Sequence, residues 1–79
     1  MVTSEEIREE ALRLAQSKTD MEEAVADILA RCSNKRVAVV RARQSLTDLR
    51  QQDPGDDEIS LAVDYLDVVL ERGPWTQPE

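Results

Sequence analysis

The sequence predicts an all-α fold, a small antiparallel bundle of four helices at about 4–17, 20–32, 35–52 and 57–72, followed by a short tail. Three observations lead there. Apolar residues recur at helical spacing in each of the four segments. The breaks between segments carry capping and turn residues. The apolar mass is Leu, Val, Ile and Ala, with no Phe, one Trp and one Tyr, which suits helix packing better than a sheet. Seventy-nine residues have room for one core, so 1–73 reads as a single domain and 74–79 as a Pro- and Trp-containing tail. A domain of this size buries only about 60% of its unfolded surface, so its stability margin is thin.

In the first helix, Thr3 is placed to cap, with Glu6 three residues on to complete a capping box. Glu5, Glu6, Glu9 and Glu10 fill the opening turns, where the helix dipole favours negative charge. Ile7, Ala11, Leu14 and Ala15 form the inner stripe, with Leu12 at its margin. Ser17–Asp20 is a break, and Thr19 or Asp20 caps the second helix. There, Met21, Ala24, Val25, Ile28, Leu29 and Cys32 follow the rhythm of one buried face. Ser33-Asn34 ends it and caps the third helix.

The third segment opens with Val37-Ala38-Val39-Val40, which alone could be a strand. Val39, Ala42, Leu46 and Leu49 continue at heptad-like spacing and decide for helix. Asp53-Pro54-Gly55-Asp56 reads as a turn, since Pro54 presets φ and Gly55 tolerates a positive one. Asp56 or Asp57 caps the fourth helix, which stops at Gly73-Pro74. That helix carries two apolar faces: Ile59, Ala62, Val63, Leu66 and Leu70, and roughly opposite them Leu61, Tyr65 and Val68. Such a helix is either central in the bundle or half of an interface.

Charge adds a register. Arg36, Arg43 and Arg50 recur at heptad intervals on the third helix, and Asp57, Asp64 and Glu71 on the fourth. An antiparallel hairpin turning between Asp53 and Pro54 sets Arg50 against Asp57, Arg43 against Asp64 and Arg36 against Glu71.

Composition narrows function. No histidine is present, which removes the usual general base and metal ligand. The lone Cys32 lies on an apolar stripe, where packing explains it, and it has no internal disulfide partner. Two glycines cannot make a phosphate-binding loop, and the acidic turn Asp53–Glu58 lacks EF-hand spacing. The pairs Glu5/Glu9 and Glu6/Glu10 read as a solvated face. No enzyme activity, cofactor or metal is therefore expected. The acidic N-terminus and the lack of a ~20-residue apolar run predict a cytoplasmic protein without membrane contact. Eight Arg against two Lys point to a high-GC source genome, bacterial or phage.

The net charge is −7, yet Asn34 to Arg50 carries +4, leaving −11 on the remainder. Overall acidity disfavours nucleic acid. The expected function is recognition of another protein, as an adaptor, inhibitor or assembly subunit, with homo-oligomerisation through the fourth helix a further candidate. The surfaces proposed for it are Leu61, Tyr65 and Val68, and Trp75 in the tail, because Tyr and Trp are enriched at interface hot spots. A very acidic free-standing chain could also occupy and block a basic DNA-binding surface. The alternative is DNA binding. Helix two, the Cys32-Ser33-Asn34 break and helix three loosely resemble a helix-turn-helix, over about twenty residues and with the spacing off by one. That resemblance would place Val25, Ala26 and Leu29 in the first-helix core, turn Val37 and Val40 inward, and present Lys35, Arg36, Arg41 and Arg43 to phosphates or bases.

Overall fold

A computed structural model describes residues 3–32 and 36–73. The four expected helices are α1 (Ser4–Gln16), α2 (Met21–Cys32), α3 (Arg36–Gln52) and α4 (Asp57–Arg72). No strand occurs among the described residues, and no helix is long and apolar enough to cross a membrane. Lys35 and Trp75, both singled out above, lie outside the described residues.

Local chemistry sets the ends. The Thr3 hydroxyl accepts the Glu6 N–H at 3.2 Å, and the Asp56 carboxylate accepts from Glu58 and Ile59 at 2.9 and 3.3 Å. Each satisfies donors that the first turn of a helix leaves open. The end of α1 is a Schellman arrangement: Lys18 N–H donates to the Ala15 carbonyl at 3.0 Å and Thr19 N–H to the Leu14 carbonyl at 3.0 Å. It requires a left-handed residue, and Lys18 takes that role with φ 53°. Gly55 does not use the positive φ open to it. The turn closes through Asp56 N–H to the Asp53 carbonyl at 3.1 Å, and the non-positive φ of Gly55 fits a type I-like path after Pro54. Gly73 is extended, with φ −63° and ψ 150°, because the residue before a proline avoids the helical region.

The core follows the predicted stripes. Ile7, Ala11, Leu14 and Ala15 of α1, Ala24, Val25, Ile28 and Cys32 of α2, and Val39, Ala42 and Leu46 of α3 are buried. From α4 come Ala62, Val63, Leu66, Val69 and Tyr65. α1 and α4 each pack on all three other helices, whereas α2 barely touches α3.

Three expectations need correction. Tyr65 is not at the surface: it is the largest fully buried side chain, and its hydroxyl donates to the Thr19 carbonyl. On the helical wheel it stands at the margin of the core face, and the α1–α2 turn covers it. Leu61 and Val68 lie further round and are half-buried. Second, Val37 and Val40 do not turn inward; they are 53% and 38% exposed, since Val39, Ala42 and Leu46 already fill the inner face. Ala26, placed in the first-helix core of the same motif, is exposed too. Third, Arg43 pairs with Asp67 rather than Asp64. Asp67 lies about 60° from Asp64 on the wheel, on the flank toward α3, while Asp57 and Asp64 point out to solvent. No ion pair joins Arg50 to Asp57 among the described residues.

The chain thus places glycine where no positive φ is needed and lysine where one is. Lys18→Gly should raise stability by about 0.5–1 kcal/mol by relieving the left-handed penalty. Gly55→Ala should add about 0.4–1 kcal/mol, because a Cβ there meets nothing within 4 Å. Urea midpoints of the two variants measure this, and a fall in either contradicts the backbone account.

Candidate functional site on the outward face of α4

Two ion pairs fix the rotation of α4. On the α3 side, Arg43 Nε meets Asp67 Oδ1. On the α2 side, Arg72 Nη1 meets Glu22 Oε2 at 2.7 Å, and this guanidinium holds the Glu22 carboxyl below its ordinary range. Between these flanks lies a face that no other helix covers among the described residues. At 100° per residue it holds Asp57, Leu61, Asp64, Val68 and Glu71 within about 80° of arc. The three acids are exposed and make no ion pair among the described residues. Leu61 and Val68 rest their inner sides on the core and leave their outer sides to solvent. The result is an acidic ridge with two apolar contact points seven residues apart. Of the residues proposed for partner binding, the structure brings Leu61 and Val68 together on this ridge, and removes Tyr65 by burial.

The remaining acids near the core are neutralised internally. Glu10, only 13% exposed, accepts from Arg13 Nε at 3.1 Å and faces Arg31 Nε at 3.2 Å. Asp27 meets Arg31 Nε at 3.3 Å and Arg13 Nη2 at 3.9 Å. The hydrogen-bonded Arg13 guanidinium, aided by Asp27 and Arg31, lowers the Glu10 pKa from 4.5 to about 2 despite opposing desolvation. Asp27 moves the other way, raised first by its hydrogen bond to Glu10 and then by burial. This quartet clamps α1 to α2. Beside it, Glu6, Ile7, Glu10, Ile28 and Arg31 line a groove of about 170 Å³. That is smaller than the roughly 300–1,000 Å³ typical of ligand pockets.

Cys32 is buried and directs its Sγ at the Leu29 carbonyl at 3.5 Å. No group of three or more His, Cys, Asp or Glu that could hold a metal occurs among the described residues. Of the cations expected to face nucleic acid, Arg43 is engaged by Asp67, Arg36 is half-buried, and Arg41 is exposed. Sequence reasoning missed Val69 as a core residue, the Arg43–Asp67 pair and the quartet around Glu10. Only the first had a local signal, its three-residue spacing from Leu66. No protein-family model, curated protein or solved structure matches this chain.

Two outcomes follow. Arg43→Glu should destabilise the fold by about 0.2–1 kcal/mol, Asp67→Arg should recover part of that loss, and Asp64→Arg should not. Additive penalties in the Arg43/Asp67 cycle would count against the pair. The pH behaviour is set by Glu10. Its folded pKa lies below its unfolded value, so its stabilisation is complete above about pH 4.5 and disappears as pH falls toward 2. Asp27, raised in the fold, takes up its proton earlier and works against that loss. Glu10→Gln should therefore lower the urea midpoint at pH 7 and flatten its decline between pH 4.5 and 2, and parallel wild-type and variant profiles would contradict the assignment.

Proposed function

We propose that this chain acts by protein–protein recognition, docking a basic amphipathic segment of another protein along the outward face of α4. The observation that carries the reading is the unpaired ridge of Asp57, Asp64 and Glu71 beside the half-buried Leu61 and Val68. Single exposed apolar residues need no partner, but these two share one face with a row of like charges that the fold leaves unneutralised. A partner helix with Lys or Arg at heptad spacing and Leu or Val beside them would match both. Charge complementarity would steer association and select the partner, and apolar contact would supply most of the free energy. The net charge of −7 extends the same preference to the whole surface. Both an adaptor and a blocker of basic surfaces would work this way, in a reducing cytoplasm that suits the buried free thiol of Cys32. The helix-turn-helix alternative gains no supporting observation, since Val37 and Val40 face solvent and α2 barely touches α3.

A labelled helical peptide with Lys at every seventh position and Leu adjacent provides the test, with a scrambled peptide of equal charge as control. The designed peptide should bind, Asp64→Lys and Leu61→Asp should each weaken it at least tenfold, and the scrambled peptide should bind far less. Equal binding of both peptides, or indifference to Asp64→Lys, would reject the site.

A further inference from the structure

We propose that α3 presents the complementary surface and docks onto the α4 ridge of a second copy, so that the chain associates head to tail. The inference rests on the reading of the α4 ridge given above. Val37 and Val40 are the exposed large hydrophobic residues among those described, at 53% and 38%. They lie within one turn on the outward side of α3, and Arg41 adjoins them, exposed and without an ion pair among the described residues. They also occupy the first turns of α3, where the helix dipole adds positive potential. The acid on this side of α3, Asp48, lies two turns further along and accepts from Gln44 at 3.2 Å. The patch is thus apolar and positive, and the α4 ridge is apolar and negative.

Within one molecule the two cannot meet. α3 and α4 are packed side by side with their inner faces in the core, and both patches point outward. A second copy brings them together. Leu61 and Val68 are about 10 Å apart along the axis, by the rise of 1.5 Å per residue. Val37 and Val40, about 4.5 Å apart by the same rise, are short enough to seat in that gap, with Arg41 set against Asp64 in the proposed contact. In each contact one copy uses its α3 patch and keeps its α4 ridge free, while the other does the reverse, so the contact is heterologous and generates open chains or closed rings, not a two-fold dimer. One helix face against another is a small interface, and like net charges oppose approach, so the association is weak and concentration-dependent.

Sedimentation equilibrium and light scattering over a concentration series, at moderate salt, test this on the full chain. Wild type should grow beyond a dimer as concentration rises. Val40→Asp should keep the chain monomeric, as should Asp64→Arg, while circular dichroism shows both folded, since both positions are exposed. Mixing the two variants should give a one-to-one heterodimer that grows no further, because one retains an intact α4 ridge and the other an intact α3 patch. In one chain, Arg41→Glu with Asp64→Arg should restore assembly that either change alone removes. A wild type monomeric at all concentrations, or a dimer that never grows, overturns the proposal. If that monomer still binds the basic peptide through Asp64, only the second-copy claim fails. If assembly is lost with Val40→Asp but unaffected by Asp64→Arg, the ridge reading fails with it.

Discussion

The hydrogen bond from Tyr65 to the Thr19 carbonyl is the contact on which the arrangement of this bundle depends. The ring is the largest side chain in an otherwise aliphatic core, and its hydroxyl has one place to go. That place exists because Lys18 accepts a left-handed backbone, which folds the α1–α2 turn over the side of α4. Burial raises the Tyr65 pKa, so the phenol remains a donor throughout the ordinary range. With Tyr65 held under the turn, α4 has one rotation about its axis. Arg72–Glu22 and Arg43–Asp67 then fasten its two flanks.

That rotation decides which charges are left over. Arg13, Arg31, Arg43 and Arg72 all face carboxylates of the same chain. The excess of acid over base is thereby left at positions without an ion pair among the described residues, and Asp57, Asp64 and Glu71 are among them. A ridge of this kind is a by-product of neutralising the seams between helices, and the proposal that it serves recognition rests on Leu61 and Val68 sharing its arc. The carboxylate with the strongest perturbation, Glu10, is held ionised by its guanidinium neighbours, the opposite of what a proton donor requires.

Helix positions, inner stripes and the Asp56 cap were legible in the sequence, because each follows from local spacing or a local hydrogen bond. Side-to-side relations were legible only in part. Heptad counting correctly put Arg43 beside α4, but it selected Asp64, since a linear register does not specify how far α4 is turned. Tyr65 looked like part of a second face for the same reason: its place at the margin of the core was visible, and the turn that covers it was not. Only the loose helix-turn-helix resemblance turned Val37 and Val40 inward; the stripe of Val39, Ala42 and Leu46, read from spacing alone, holds the inner face and leaves them outside. The Glu10 quartet joins residues from two helices, and no periodicity within either one announces it.

The attachment of α2 has a dynamic consequence. This helix has the sparsest packing of the four, scarcely meeting α3, and its buried stripe is supplemented by ion pairs to α1 and α4 that salt screens. Local opening in a small domain begins with the element that has least to lose. Here that element is α2, and its departure would uncover the Cys32 thiol, a group the closed bundle keeps from any oxidant. The lone cysteine would therefore report on this breathing motion, open to modification only while α2 is lifted.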